Sequence, residues 1–376
     1  MKFSFTAEQQ EFRGIVRRFL EAKSPATVVR RLMETDDGYD REIWRQLSGE
    51  LGLTAVHIPE AYGGQGFGVS ELAIAVEEMG RALLCAPYFA STVLAATAIL
   101  KGGTEEQKRS LLPGIAAGET IATLAFTEAN GRWDADGIAA TAKGVGGSYK
   151  LDGIKSFVFD GHTADVIVVA ARRPGSQGAE GLSLFMVGGD AKGLQRQRLD
   201  SMDRTRKLAR LTFSGVDAQL LGTEGCAAGP LRATLDIAAI CLANEMIGGA
   251  ERLRESGIEF ANMRVQFGRA IASFQSLKHK AADLLLNVEL AKAAAYYAAA
   301  AVDEGDAEVP ALASLAKAAA SDAYMQAAID TVQFHGGIGF TWDNDTQLWF
   351  KRAKSSEVFL GTPAEHRERL MQLWNV

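Results

Sequence analysis

Residues 264–269, Arg-Val-Gln-Phe-Gly-Arg, are followed closely by Ser273-Phe274-Gln275 in a long alanine-rich part of the chain. Apolar residues recur at helical spacing on both sides of this stretch, so two helices should meet here. We expect Arg264 to lie near the end of the first helix and Gly268 to terminate that helix in a left-handed conformation. Ser273 is then the expected N-cap of a second helix that starts at Phe274. An arginine at one helix end and a glutamine at the start of the next can converge on one polar ligand.

A second glycine-rich stretch, Gln333-Phe334-His335-Gly336-Gly337-Ile338-Gly339-Phe340, follows in the same helical region. Its glycines would let the backbone approach a ligand closely. The guanidinium group of Arg264 suits a diphosphate, because its planar fork bonds two oxygens at once. Together the two stretches predict a shared site for a polar, phosphate-bearing ligand.

The composition is that of a globular protein with more than one domain. The chain has 376 residues, of which 47% are apolar, so two or three cores are expected. A net charge of -6 favours neither nucleic acid nor an anionic membrane as a partner. The odd number of cysteines, Cys85, Cys226 and Cys241, argues against a disulfide framework, so we expect buried thiols in a reducing cytoplasm. The sequence has no apolar signal core, no charge-free run of about twenty apolar residues and no metal-ligand spacing of histidines, which predicts no membrane span and no metal.

The pattern of residues changes twice along the chain. Residues 1–118 predict helices, with capping boxes at Thr6–Gln9 and Thr104–Gln107. Residues 119–224 hold short apolar runs separated by glycines, which is typical of a small antiparallel β domain, with a hairpin signal at Asp152-Gly153. Residues 225–376 predict long helices over 231–260, 274–302 and 309–334 and a last helix from Pro363, which should pack as a bundle. We therefore predict a mostly α fold with a central β domain.

Taken in order, the motifs resemble those of the acyl-CoA dehydrogenase family. The C-terminal domain of that family is similar to Arg-x-x-Phe-Gly at 264–268, Phe274-Gln275 and Gln-x-x-Gly-Gly at 333–337, and its N-terminal loop is similar to Tyr62-Gly63-Gly64. The resemblance covers essentially the whole chain. It implies an N-terminal helical domain, a middle β-barrel-like domain and a C-terminal four-helix bundle. It also implies the α,β-dehydrogenation of an acyl-CoA thioester by a flavoprotein.

The resemblance further implies which residues hold the cofactor, FAD. In the family the Arg, Gln and Gly-Gly positions bind the FAD of a neighbouring subunit, which implies an oligomer. An electron acceptor such as electron-transfer flavoprotein is also implied. The residues that the resemblance assigns to FAD are Arg264, Phe267, Phe274, Gln275, Gln333, Gly336, Gly337, Thr127, Phe157 and Thr362.

The catalytic glutamate of the family is absent from both of its usual positions. Family members use a carboxylate to take the α proton while flavin N5 takes the β hydride. The common Glu-Gly-Thr triplet is here Leu360-Gly361-Thr362, and the position on an earlier helix that other members use is here Ala238. Glu357, about one helical turn before Leu360, is the best substitute, and we leave the catalytic residue unassigned. Weaker substitutes lie on the earlier helix: Asp236 and Glu245.

The flavin loop of the family, Thr-Glu-Pro-x-x-Gly-Ser-Asp, has also diverged. Here it is Thr127-Glu128-Ala129-Asn130-Gly131-Arg132-Trp133-Asp134. Trp133 would fill the groove where the chain's own FAD would lie, and a shifted loop that still admits FAD is the alternative. Glu128 is expected to be structural. The segment Lys155-Ser156-Phe157-Val158 stands where the family has Lys-x-Trp-Ile followed by Ser or Thr, so Phe157 keeps an aromatic ring near the flavin.

The half-site for a neighbour's FAD is therefore complete, whereas the half that holds the chain's own flavin is degraded. This pattern resembles the non-catalytic partner in the α2β2 acyl-CoA dehydrogenases of actinobacterial steroid breakdown, whose substrates carry a bulky ring system. It implies a second family subunit as the partner. Other interpretations stay open: a self-sufficient homotetramer with a relocated base, a scaffold of the same fold without redox turnover, and a flavin monooxygenase variant.

Overall fold

The computed structural model describes residues 5–145 and 148–376, which fold into two compact units. The first unit contains the chain up to Arg30 together with residues 69–84 and 239–376. The second unit contains residues 31–68 and 85–238. Each unit therefore draws on parts of the chain that are far apart in sequence.

Helices dominate both ends of the chain, as the sequence predicts. They are α1 Ala7–Lys23, α2 Ala26–Met33, α3 Arg41–Arg45 with a π-helical continuation Gln46–Glu50, α4 Val69–Ala82, a π-helical stretch Phe89–Ala96 that continues as α5 Thr97–Gly102, α6 Glu105–Ala116, α7 Ala228–Met263, α8 Gln275–Asp303, α9 Val309–His335, α10 Thr346–Val358 and α11 Pro363–Leu373. Both predicted capping boxes are present, because the hydroxyls of Thr6 and Thr104 accept hydrogen bonds from the main-chain N–H groups of Gln9 and Gln107.

The first unit is a helical bundle in which α9 packs against α8, α10 and α11. Alanines fill much of its core, which lets the helix axes approach closely. Helix α7 is long and apolar enough to cross a membrane, but 89% of its most apolar 18-residue stretch is buried inside the protein. It is thus built as a core helix.

Helices α4 and α7 cross at glycines, with their backbones in direct contact. A Cβ atom on Gly248 would lie 1.9 Å from the carbonyl oxygen of Glu77, and one on Gly80 would lie 2.0 Å from the carbonyl oxygen of Glu245. Real Cβ atoms do not approach oxygen so closely, so the crossing admits no side chain at either position.

The second unit holds a seven-stranded sheet in the order β1-β4-β2-β3-β7-β5, with β6 paired to β7 and β5 also paired to β4. Its strands are β1 Ala122–Ala125, β2 Thr141–Val145, β3 Ser148–Phe159, β4 Val166–Arg172, β5 Leu182–Gly188, β6 Leu194–Leu199 and β7 Leu208–Leu221. The β4–β5 pairing closes the sheet on itself around a core of small and branched apolar side chains. The sheet is not wholly antiparallel as predicted, because β1 runs parallel to β4.

Two further predictions for this unit are wrong. Asp152 and Gly153 do not form a hairpin turn but lie inside β3, where the register against β7 shifts between Leu151 and Asp152. The carboxylate of Asp152 accepts a hydrogen bond from Gly215 N at 2.8 Å, which fills the gap that this bulge leaves. Cys226 is exposed, although Cys85 and Cys241 are buried as expected.

The glycine crossing makes a prediction that a mutation can test. Gly248→Ala should lower the free energy of unfolding by about 3 kcal/mol, because the new methyl group forces the two helix backbones apart. Gly229→Ala on the same helix is the matched control, since nothing lies within 4 Å of a Cβ there. That change should be neutral or stabilising by at most about 1 kcal/mol. Urea unfolding followed by circular dichroism measures both, and equal effects would refute the close-packing argument.

Candidate cofactor site

Helix α7 ends at Met263, and the chain then forms a short hairpin of β8 Val265–Gln266 and β9 Arg269–Ala270. Phe267 and Gly268 make its two-residue turn, with φ angles of 53° and 77°. A tight hairpin needs positive φ at both central residues. The prediction that Gly268 terminates α7 is therefore wrong, because its left-handed conformation serves the hairpin instead.

The start of α8 also differs from the prediction. Ser273 lies in a single 3-10 turn, Ile271–Ser273, and its hydroxyl donates to Ala270 O at 2.7 Å. Phe274 takes the N-cap position and α8 begins at Gln275. Since phenylalanine has no acceptor, the first N–H groups of α8 receive no side-chain cap and carry a positive partial charge.

Arg264 has a fixed backbone and an unengaged side chain. Its N–H donates to Phe260 O and its carbonyl accepts from Ile271 N, both at 2.9 Å. The side chain is exposed, and the described part of the chain offers its guanidinium no hydrogen bond and no ion pair. The full fork of this arginine is thus available to an outside ligand.

The second predicted stretch lies at the C-terminal end of α9. Gly336 has φ 63° and ψ -141°, a conformation that only glycine adopts readily, and its N–H donates to Gln333 O. A Cβ atom on Gly337 would meet nothing within 4 Å, so the backbone is open there. The Gln333 side chain is exposed.

Two rings bring the ends of α7 and α9 together. The ring of Phe260, one helical turn before Arg264, stacks on His335 with centroids 4.2 Å apart. The two motifs therefore lie at the same end of the bundle. At this end Phe267 is 90% exposed and meets the edge of Phe274 at 6.1 Å.

Thr127 and Phe157 lie in the second unit, each held by the strand pairing around it. The Thr127 hydroxyl is buried and donates to Ser156 O at 2.8 Å, while Ser156 N donates back to Thr127 O at 2.9 Å. Phe157 is 42% exposed and adopts a φ of 58°, next to the irregularity between Lys155 and Val158. Its ring is thus presented outward by a strained bulge.

Glu128 anchors the segment that follows Thr127. Its Oε1 accepts from the N–H groups of Ala139 and Ala140, both at 2.9 Å, and from Lys155 Nζ at 2.8 Å. Lys155 is fully buried, and burial lowers its pKa to about 8 against the opposing effect of Glu128. These contacts give Glu128 the structural role that the sequence suggests.

The diverged flavin loop closes on itself. Arg132 bonds both carboxylate oxygens of Asp134, at 3.0 and 2.7 Å, and reaches Asp136 at 3.1 Å. Asn130 Nδ2 donates across the loop to Gly137 O at 2.7 Å. Trp133 is half-buried with its ring centroid 5.9 Å from that of Phe126. The charge of Arg132 is therefore engaged within the loop.

A stack of two aromatic rings and an arginine lies further along β3. Phe159 follows Val158, where the family pattern has Ser or Thr, and is 3% exposed. Its ring centroid lies 5.7 Å from that of Phe89, and the Arg206 guanidinium lies 4.7 Å from Phe159 and 5.2 Å from Phe89. An apolar and cationic cluster thus takes the place of a small hydroxyl. The departure at 159 was visible in the sequence, but the role of Arg206 was not.

Among the described residues, two of the three acids considered as a substitute base are already paired. Leu360 and Ala238 are both buried and cannot accept a proton. Glu357 forms an ion pair with Lys354 on its own helix. Glu245 is bound at 2.8 Å to Arg352. Asp236, the third alternative, is buried.

The turn that carries Leu360 is held by two buried titratable groups that the sequence did not reveal. Lys317 is fully buried, and its Nζ donates to Ser321 Oγ at 3.0 Å, Glu357 O at 3.2 Å and Gly361 O at 3.0 Å. Burial lowers the pKa of Lys317 to about 7. Three acceptors around one nitrogen match the three donors of an ammonium group.

His366 holds the same turn from the other side. Its Nε2 donates to Leu360 O at 2.9 Å, and burial lowers its pKa to about 4. These contacts fix Leu360 at a φ of 61°. Thr362, assigned to FAD by resemblance, caps α11, and its hydroxyl lies 2.8 Å from Glu365 Oε2.

Family models match nearly the whole chain. They are the acyl-CoA dehydrogenase N-terminal domain at residues 6–119, the middle domain at 123–216 and the C-terminal domain at 230–373. Acyl-CoA dehydrogenase IpdE2 of Mycobacterium tuberculosis is 34% identical over 369 residues, which is 98% of each chain.

Solved structures agree with the family models. Butyryl-CoA dehydrogenase of Megasphaera elsdenii superposes with a TM-score of 0.93 at 30% identity, covering 100% of both chains. A variant of the Tcur3481–Tcur3483 steroid ACAD superposes with a TM-score of 0.88 at 30% identity, covering 98% of both. Fold and relatives together define an oxidoreductase that acts on acyl-CoA. The chain belongs to the acyl-CoA dehydrogenase family, whose members are FAD flavoproteins.

The buried histidine at the Leu360 turn predicts a pH dependence of stability. In the unfolded chain His366 titrates near its ordinary pKa of 6.5, but in the folded chain only near 4. Between these values the unfolded state binds the extra proton, so the free energy of unfolding falls as the pH falls, by up to about 1.4 kcal/mol per pH unit. Wild type should lose this stability between pH 6.5 and 4, and His366→Gln should lack that component. The exposed His279→Gln is the control, and parallel profiles for wild type and His366→Gln would refute the assignment.

Proposed function

We propose that this chain is the partner subunit of a heterotetrameric, FAD-dependent acyl-CoA dehydrogenase. It completes the FAD site of a second family subunit and supplies no catalytic base. The observation that carries the proposal is that Leu360 and Ala238 occupy both family base positions. The same chain keeps exposed polar side chains in the bundle half-site, which is formed by Arg264, Gln275 and Gln333 with Gly336 and Gly337.

The bundle half-site fits the diphosphate of FAD. Arg264 offers a complete fork, Gly336 and Gly337 offer an open backbone, and the uncapped first turn of α8 at Gln275 favours an anion. Gln333 is exposed, and the Arg269 guanidinium lies 4.1 Å from the centre of the Phe274 ring. When FAD is bound, it supplies the acceptor for the β hydride, and the residues of this chain hold its phosphates.

The sheet half-site, which is formed by Thr127, Phe157 and the loop at residues 128–134, does not fit a second flavin in the same way. The hydroxyl of Thr127 is buried and donates to Ser156 O, and Trp133 fills the loop that is Gly-Ser in the family pattern. Phe159 stands at the position after Val158, and the Arg206 guanidinium stacks on its ring. These observations support one FAD for every two chains, bound largely by the partner.

An apolar surface on the bundle supports assembly with another chain. Leu285, Leu286 and Leu290 on α8 are 44%, 58% and 60% exposed, and Ile329 on α9 is 48% exposed. Exposed large apolar side chains in such number on neighbouring helices are typical of a subunit interface. The neighbour is a second family chain with an intact base rather than another copy, because two copies of this chain would bring together two sites without a base.

The substrate that we propose is an acyl-CoA with a bulky ring system or branched chain, as in steroid or branched-lipid breakdown. The similarity to a steroid ACAD supports this choice. An acceptor such as electron-transfer flavoprotein takes the electrons from the partner's flavin. The odd number of cysteines, which argues against a disulfide framework, supports a cytoplasmic setting.

Flavin content tests the proposal directly. The chain purified alone should contain no stoichiometric flavin and show no turnover of acyl-CoA substrates. Co-expression with a family subunit that has an intact base should yield a complex with one FAD for every two chains. Absorbance of the released flavin and native mass spectrometry measure this ratio. A yellow, active preparation of the chain alone would refute the proposal.

The guanidinium of Arg264 should be needed for that complex to retain FAD. Arg264→Gln removes the charged fork, so FAD should dissociate about tenfold to a hundredfold more readily, because hydrogen bonds to charged groups contribute about 1.5–3 kcal/mol. Lys278→Gln, which removes an exposed cation from the first turn of α8, is the matched control. The measurement is flavin retained during dialysis, and equal loss from both variants would argue against a specific diphosphate contact.

The homotetramer with a relocated base is tested by one further variant. If the chain alone is active, Glu357→Gln should abolish turnover while FAD stays bound, because Glu357 is the acid nearest Leu360 in sequence. Full activity of Glu357→Gln would exclude that residue as the base.

A further inference from the structure

A cavity of about 520 Å³ lies in the first unit and meets the FAD half-site only at His335, between Gln333 and Gly336. Its wall comes from the C-terminal ends of α1, α4 and α9, the last third of α7, and the starts of α2 and α10. The residues assigned to FAD do not line it. This volume is in the range of pockets that hold small organic ligands, about 300–1,000 Å³.

Two of the acidic side chains in the wall are already neutralised. Glu78 is bound by Arg17 through both carboxylate oxygens, at 2.8 and 2.7 Å. Asp345 accepts from Arg30 Nε at 2.7 Å. Besides these pairs, the wall holds further arginine side chains, and not all of their N–H groups are used in hydrogen bonds.

Arg81 and Arg252 provide the unused donors. Arg81 Nη2 is paired with Glu255, but its Nη1 is buried and has no hydrogen-bond partner in the described part of the chain. Arg252 is exposed at the cavity and makes no hydrogen bond or ion pair with any described residue. A buried guanidinium nitrogen without an acceptor is costly, so an acceptor from a ligand would stabilise the site.

The remaining wall suits the body of such a ligand. His335 uses its Nδ1 against Thr331 O at 2.8 Å, with the ring fixed by stacking on Phe260. When Nδ1 is the donor of the neutral ring, Nε2 is left as an acceptor. Trp349 adds an indole face. Glu21 at the exposed rim is the one wall carboxylate without an ion pair among the described residues.

We propose that this cavity is a second ligand site, which binds the phosphate group of a small organic phosphate between Arg81 and Arg252. Two guanidinium groups from different helices offer donors to separate oxygens of one tetrahedral anion. His335 and Trp349 then contact the organic part. The site is independent of the proposed flavin function, since it requires neither FAD nor a partner chain.

Calorimetric titration with inorganic phosphate and with adenosine monophosphate tests the site. Both probes should bind saturably to the purified protein, with the monophosphate bound more tightly because it also fills the cavity. Arg252→Gln should weaken both by about tenfold or more through loss of a charge-assisted contact. Since Arg252 is exposed and unpaired, this change should leave the unfolding midpoint unaltered.

Arg254→Gln is the matched control. Arg254 lies two residues after Arg252 on α7, but it does not line the cavity and its guanidinium is paired with Glu251. It should leave phosphate affinity within about twofold of wild type. Glu21→Gln should strengthen binding severalfold, because it removes the repulsive rim charge. Absence of saturable binding, or equal affinity in wild type and Arg252→Gln, would overturn the proposal. Binding of inorganic phosphate with no gain for the monophosphate would limit the site to the free anion and overturn the assignment of an organic ligand.

Discussion

The bundle depends on the direct contact between the backbones of α4 and α7. Gly80 and Gly248 leave no room for a side chain at this crossing. The contact fixes the direction of α7, whose far end delivers Arg264 to the cofactor surface. It also buries the acids of α4: Glu77 is 4% exposed, and burial raises its pKa even though Arg13 lies 2.8 Å away. Packing and electrostatics in this unit are therefore coupled, because the closeness of the helices makes the arginine partners of α1 necessary.

The two half-sites of the family differ in whether their polar groups are engaged. In the bundle, the Arg264 guanidinium has no hydrogen-bond partner among the described residues, and the first turn of α8 has no side-chain cap. In the sheet unit, Thr127, Arg132 and Glu128 are all bound to neighbouring groups. A polar group that is already satisfied offers a ligand little net free energy. The difference supports the proposed assignment of cofactor binding to the bundle half, more directly than the identity of the residues does.

Features that local forces determine could be predicted from the sequence. The long alanine-rich helices follow from periodicity, and the capping boxes at Thr6 and Thr104 follow from contacts three residues apart. Gly268 and Asp152-Gly153 were placed wrongly, because positive φ and a turn signal suit helix ends, hairpins and bulges alike. The local β8–β9 pairing decides the first case, and the long-range pairing of β3 with β7 decides the second.

The groups around the missing base escaped prediction for a different reason. Lys317 lies on α9, far from Leu360 in sequence, and His366 lies on another helix, α11. Only the fold brings both side chains to the turn that carries Leu360. Arg206 likewise gains its position between two rings from tertiary packing. Motif comparison locates where the sequence departs from the family pattern, but packing sets the side chains around those positions, so the three-dimensional structure is needed to identify them.

The β8–β9 hairpin has a consequence for the cell. It projects Phe267 almost entirely into water at a backbone angle that phenylalanine rarely adopts, and leucines further along α8 are exposed as well. Such a surface is tolerable only while it is covered, and an uncovered copy would associate with whatever apolar surface it encounters. Under the proposed function, a cell that makes this chain has reason to match its synthesis to that of the partner subunit, so that orphan copies do not accumulate.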